Sequence, residues 1–312
     1  MKIKINLALV ILSLISCLVQ AAETELSKQK FSVNASLGYI SGTAHEYVYN
    51  PDNGTQLSHL LWKMENAPII RAEGAYKINS WLDAGLNAWI NLNKGNYALM
   101  DDYDWYPPIV PFFMWSDHPD TDLRQASEVD LNLKGWFLQK SNYKLAAMVG
   151  YQRNLYSFVA KGGCFNYYFG AFVGCFPEGQ IGIGYKQTFN MPYIGLAGNY
   201  LWKLWELTGH LKYSNQVTAR DIDQHYQYPP RTFYEGSNNF KYYNLNLNAG
   251  YYVKPQIKLF AEGSFNYIPN KKTGSVVIDQ LTNERTDYAD AAGLSNQNYI
   301  FSLGIQYTGG DS

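Results

Sequence analysis

Alternation of apolar and polar residues with a period of two runs through most of this 312-residue chain, and it limits the possible folds more than any other feature. Val129, Leu131, Leu133, Gly135 and Phe137 fall on one side of an extended segment, opposite Asp130, Asn132, Lys134 and Trp136. Tyr243, Leu245, Leu247, Ala249, Tyr251 and Val253 alternate in the same way with Asn244, Asn246, Asn248, Gly250 and Tyr252. The pattern recurs at Ile257–Tyr267, Trp205–Tyr213 and Phe301–Tyr307. Successive side chains of a strand point to opposite faces, so each segment carries one apolar and one polar face. Ten such strands are predicted, at 31–49, 58–76, 81–93, 125–138, 143–160, 180–200, 205–223, 233–253, 257–269 and 298–308. Short turns at 77–80, 139–142, 201–204 and 254–256 alternate with longer loops at 50–57, 94–124, 161–179, 224–232 and 270–297. An even number of antiparallel strands with short turns at one end and long loops at the other is the plan of an outer-membrane barrel. The expected fold is therefore all-β: a ten-stranded antiparallel transmembrane β-barrel with short periplasmic turns and long extracellular loops. A soluble β-sandwich explains neither the alternation in connection length nor the aromatic residues gathered towards the strand ends.

Composition supports this reading by exclusion. Only 16% of residues are charged, against about a quarter in a typical soluble domain. With 16% aromatic residues, the chain has far more to bury than a disordered one. Past the N-terminus no apolar run approaches the roughly 20 residues that a spanning helix needs. Lys+Arg 25 balances Asp+Glu 26 with no basic stripe, so no nucleic-acid partner is expected.

Residues 1–21 read as a secretory signal. Lys2 and Lys4 form its basic start, Leu7–Leu18 its apolar stretch, and Val19-Gln20-Ala21 its cleavage site. Leu14-Ile15-Ser16-Cys17 also resembles a lipoprotein box, so the alternative fate of Cys17 is lipidation rather than removal. Residues 22–312 then form a single domain. Its remaining cysteines, Cys164 and Cys175, flank a short loop beside several glycines. In an oxidising compartment such a pair is expected to form a disulfide.

Two groups of residues could carry chemistry. The second long loop holds Asp101-Asp102-Tyr103-Asp104-Trp105. Carboxylates held close together in a partly buried site repel, shift upward in pKa and can hold a proton or a water. The fourth loop begins Arg220-Asp221-Ile222-Asp223-Gln224-His225. In an extended chain Asp221, Asp223 and His225 share one face, and an Asp beside a His can orient a general base. The residues fit a metal site poorly, because neither a helical His-x-x-x-His nor a calcium-loop spacing is present.

Further motifs carry a family resemblance. Trp62-Lys63, Asp102-Tyr103-Asp104-Trp105, His118-Pro119-Asp120-Thr121, Asp130-Leu131-Asn132-Leu133-Lys134-Gly135-Trp136, Gly184-Tyr185-Lys186-Gln187, Met191-Pro192-Tyr193-Ile194-Gly195-Leu196, Asp223-Gln224-His225-Tyr226 and Asn248-Ala249-Gly250-Tyr251-Tyr252-Val253 follow one another as in the omptins. These are outer-membrane proteases of Gram-negative bacteria, and the chain resembles them over about residues 31–308.

The resemblance implies an active-site cleft at the extracellular rim, with an Asp102–Asp104 couple facing an Asp223–His225 couple. A water between them would attack the scissile carbonyl, with His225 as general base and Asp223 orienting it. Asp102 and Asp104 would position the water and help stabilise the tetrahedral intermediate. Cleavage between basic residues is implied, with Glu46 and Asp221 binding the P1 side chain. Ser116 and His118 match family positions that are here read as structural or subsite residues. Lipopolysaccharide is an implied partner and activator. Tyr151 matches its aromatic contact, but Arg153, Leu155 and Thr188 depart from the family pattern there, leaving Arg153 and Lys161 to contact it differently. A stiff Pro-rich stretch, Tyr106–Phe113, should alter subsites beyond P1. The expected state is a monomer that acts on peptides and proteins with basic residues and needs no metal or other cofactor. The rival expectation is a catalytically silent barrel serving as an adhesin or structural protein.

Overall fold

A computed structural model describes residues 29–105, 113–227 and 229–311 of the chain. The signal segment, Cys17 and most of the Pro-rich stretch (106–112) lie outside the described residues. Thirteen strands follow in order: β1 (Gln29–Tyr49), β2 (Gln56–Lys77), β3 (Leu82–Asn91), β4 (Gly95–Asp104), β5 (Met114–Gln139), β6 (Tyr143–Lys161), β7 (Cys164–Tyr167), β8 (Phe172–Cys175), β9 (Ile181–Trp202), β10 (Trp205–His225), β11 (Arg231–Lys254), β12 (Ile257–Asp279) and β13 (Arg285–Asp311).

These strands make a ring of ten staves. β3 pairs with β2 and β5 near the short-turn end, and β4 bridges the same two strands further up, so the two share one stave. The order then runs β5, β6, β9, β10, β11, β12 and β13, and β13 pairs with β1 to close the circle. β7 and β8 form a small hairpin against β5. Closure matters because lipid offers no partner to an open strand edge.

The outer surface of the lower half faces lipid. Leu37, Leu131, Leu133, Ile194, Leu196, Leu207, Leu247 and Leu303 all point outward there. One aromatic girdle, at the short-turn end, contains Trp81, Phe137, Tyr143, Trp202, Trp205, Tyr251 and Tyr307. A second contains Tyr39, Tyr151, Tyr213, Tyr243, Tyr267 and Tyr299. From Trp205 to Tyr213, or from Tyr299 to Tyr307, is about 26 Å of strand, the scale of the apolar band in such barrels.

Inside, three layers follow one another. At membrane level the lumen is polar. Lys212 pairs with Asp130, which also accepts from the Tyr193 hydroxyl, while Arg71 pairs with Glu262 and Glu73, and Lys258 with Glu206. Above them lies an apolar layer. Trp62 stacks on Phe158 and Tyr185 at 5.5 and 5.1 Å between ring centres, packed with Ile40, Met64, Met100, Phe189 and Met191. The rim above this floor is acidic.

The structure corrects three expected loops. Much of 94–124 is strand, comprising β4 and the start of β5, 161–179 holds the β7–β8 hairpin, and much of 270–297 continues β12 and begins β13. Asp102 and Asp104 therefore sit on a strand rather than a loop, and Asp221, Asp223 and His225 sit on the end of β10. The last strand also runs past residue 308 to Asp311, which pairs with Gln29.

Candidate active site at the barrel rim

Alternation along β10 turns Asp221 and Asp223 inward, where both are buried, while His225 lies in the same register at the mouth. His225 Nε2 lies 2.6 Å from Asp223 Oδ2, a charge-assisted distance. The ring also packs edge-on against Phe233, with 5.3 Å between centres. Burial alone would lower the His225 pKa. The Asp223 carboxylate outweighs that effect, with Asp102 and Asp104 adding to it, so the imidazole titrates above its ordinary value.

β4 supplies the facing couple. Asp102 sits across from Leu60 on β2 and Ser116 on β5, and Asp104 from Ser58 and Met114. The Ser58 hydroxyl donates to Asp102 Oδ1 at 3.2 Å. Burial, followed by the neighbouring Asp104 charge, pushes the Asp102 carboxyl up to about 8. Asp104 is also raised, again chiefly by burial, against the opposing pull of Ser58 and His225. Asp102 and His225 line one cavity of about 400 Å³, together with Ser116, His118, Tyr167 and Arg231. One member of each couple, Asp102 and His225, thus opens onto a single space large enough for a substrate backbone.

Ser116 and His118 are both buried, with Ser116 Oγ and His118 Nε2 3.2 Å apart. His118 stacks on Phe176 and is held below its ordinary pKa by burial. Phe176 follows Cys175, whose disulfide with Cys164 ties down the β7–β8 hairpin beside the cavity.

Behind the two couples lies a second acidic group. Glu46 on β1, Asp221 on β10 and Glu235 on β11 each place one oxygen within 4.8 Å of the other two, a spacing that can hold a cation. All three are at most 4% exposed. Tyr185 donates to Asp221 Oδ2 at 2.9 Å, and Gln187 Nε2 donates in turn to the Tyr185 hydroxyl at 2.7 Å. Burial pushes Asp221 up to about 8, and raises Glu46 and Glu235 well above the usual carboxylate range, with the surrounding acids adding to both.

A model of the omptin family matches residues 27–308. The chain belongs to the omptin family. The plasminogen activator of Yersinia pestis is 39% identical to this omptin over 97% of the chain and 99% of its own length. Protease 7 of Escherichia coli K12 is 41% identical over 92% and 94%. Among solved structures, the crystal structure of the outer-membrane protease OmpT from Escherichia coli superposes with a TM-score of 0.86, at 38% identity, covering 89% of this chain and 96% of that one. Family and fold together place this omptin in the bacterial outer membrane.

Asp102, Asp104, Asp223 and His225, expected from the sequence, meet at the rim, and Glu46 joins Asp221 there from the far side of the β1–β13 seam. Glu235, Ser58 and Tyr185 were not expected. Glu235 had a usable signal: a hairpin whose strands end at 223 and resume at 233 sets position 235 across from Asp221, as observed. The residues expected to depart from the family's implied lipopolysaccharide contact lie on the barrel wall. Tyr151, Arg153 and Leu155 follow one another on the outer side of β6, with Thr188 across from Leu155. Lys161 is engaged by Asp120 and Asp122, at 3.2 and 3.3 Å.

Proposed function

We propose that this outer-membrane protease is an endopeptidase that hydrolyses peptide bonds at basic residues, dibasic sites above all, from the extracellular side. The observation that carries the reading is one cavity lined by both Asp102 and His225, the latter bonded to Asp223 at 2.6 Å and under the influence of Asp102 and Asp104. In the neutral tautomer that donates from Nε2 to Asp223, Nδ1 of His225 is free to take a proton from water. The resulting hydroxide adds to the scissile carbonyl carbon. Asp223 stabilises the imidazolium, which then returns the proton to the leaving amine. The Asp102–Asp104 couple, holding a proton because of its raised pKa, can share that proton in a hydrogen bond to the developing oxyanion and keep it as the intermediate collapses, while Asp104 orients the water.

Substrate choice follows from charge. Glu46 and Asp221 would pair with a P1 Arg or Lys, whose cation relieves the repulsion between the buried acids. Lipopolysaccharide would bind the outer face around Tyr151 and Arg153, whose guanidinium reaches Asn190 at 3.5 Å. The test is hydrolysis of a panel of peptides that differ only at P1, with and without added lipopolysaccharide. Arg and Lys should be cut at least tenfold faster than norleucine. Equal cleavage of all three would refute the specificity.

A further inference from the structure

Glu46, Asp221 and Glu235 differ from a two-carboxylate clamp in number and in shape. Each residue has one carboxylate oxygen with no hydrogen-bond partner among the described residues: Oε2 of Glu46, Oδ1 of Asp221 and Oε2 of Glu235. Among the described residues no Lys or Arg forms an ion pair with any of them. Buried, unpaired acceptors of this kind are costly unless a ligand completes them.

The spacing indicates what that ligand is. Three oxygens no more than 4.8 Å apart surround a point at most about 2.8 Å from each, which is the length of a charge-assisted N–H···O bond. A primary ammonium carries three donors arranged about one axis, so it can serve three acceptors from one nitrogen. A guanidinium is a planar fork, suited to one or two carboxylates lying in its own plane. Register fixes the third member in place: Glu235 stands directly across from Asp221 on the β10–β11 hairpin, beside Ser275 of β12.

We infer that Glu235 is a specificity-determining residue, turning the basic-residue pocket into a three-point cradle that selects a lysine ammonium over an arginine guanidinium. The inference rests on the proposed cleavage at basic residues. Other primary alkylammonium groups of similar reach would enter the same cradle.

The experiment compares wild type with Glu235→Gln in intact cells, using peptides that carry Lys, Arg or norleucine at P1. The Lys-to-Arg ratio of kcat/KM should fall about tenfold in the variant, as loss of one charge-assisted contact predicts. An unchanged or increased ratio would overturn the assignment of Glu235, while leaving cleavage at basic residues standing. If the wild type cuts the norleucine peptide as fast as the basic ones, the proposed function fails and this inference with it. A second measurement needs only the wild type: n-butylammonium should inhibit cleavage at lower concentration than n-butylguanidinium, and the reverse order would overturn the cradle.

Discussion

The lumen at membrane level and the rim above the apolar floor are both rich in buried acids, yet they treat charge in opposite ways. In the lumen the acids have partners. Asp130 has Lys212 and Tyr193, Glu262 has Arg71, Glu206 has Lys258, and Glu128 accepts from Asn87, Gln152 and Asn154. At the rim, Glu46, Asp102, Asp104, Asp221 and Glu235 form no ion pair among the described residues, and Asp223 has only His225. A folded protein keeps buried charges where partners repay the lost hydration. Charges left without partners mark a place where something else supplies them, here a proton, a substrate cation or a water. The apolar floor of Trp62, Phe158 and Tyr185 keeps the two regions apart and deprives the rim acids of lumen cations.

Substitutions can break this contrast from either side. Asp223→Asn should lower kcat by about a thousandfold, the scale of a lost general-base system. Because Asp223 raises the His225 pKa, the activity that survives should also reach its plateau at lower pH. A peptide assay across pH 5–10 checks both, and unchanged kcat would remove Asp223 from the mechanism. Lys212→Met, in the lumen, should do the reverse. Leaving Asp130 buried without its cation should cost about 3–5 kcal/mol of stability, lowering the unfolding midpoint in detergent, while kcat/KM stays within threefold of wild type. A large activity loss there would mean that the two regions are not independent.

The next effect is smaller. Asp221→Ala should reduce the preference for Arg over norleucine at P1 by about 10–100-fold, the scale of one charged contact, and should lower kcat less. A preference left intact would exclude Asp221 from the pocket.

The pH dependence of the wild type follows from the raised pKa values. A carboxyl pushed up to about 8, as Asp221 is, stays neutral below that pH and binds a cation only as it ionises. The His225 base is likewise freed only as pH rises past its raised pKa. For basic P1 peptides kcat/KM should therefore climb between pH 6 and about 8, whereas an acid optimum below pH 6 would contradict the assigned roles.

The smallest effect is on stability. The folded rim retains protons that an unfolded chain releases above the ordinary carboxylate range of about 4. Its contribution to stability is thus present at low pH and declines as pH rises towards about 8. Asp221→Asn removes one such group and should raise the unfolding midpoint at pH 9 by about 3 °C, with little change at pH 4.

The sequence made the ten staves legible because lipid enforces alternation. It made the upper strands hard to see for the same reason. Above the aromatic girdle the outward face meets water, and the apolar set moves inward: in β2, Trp62 and Met64 are buried while Lys63 and Glu65 face out. β4 follows this inverted pattern, with Ala98 and Met100 inside, so 94–124 reads as a loop to a rule tuned to lipid. Asp223 and His225 were visible because they lie two residues apart on one strand. Glu46 was reachable only through family resemblance, since its distance from Asp221 along the chain conveys nothing of the barrel's closure. Glu235 lay within reach of hairpin register but belonged to no motif.

The central claim is that the unpaired rim acids, with His225, carry out the hydrolysis. It is tested most directly by cleavage of a fluorogenic Arg-Arg peptide by intact cells expressing equal surface amounts of wild type, Asp104→Ala or His225→Ala. The account predicts that each variant loses activity by about a hundredfold or more. Equal rates in all three would contradict it.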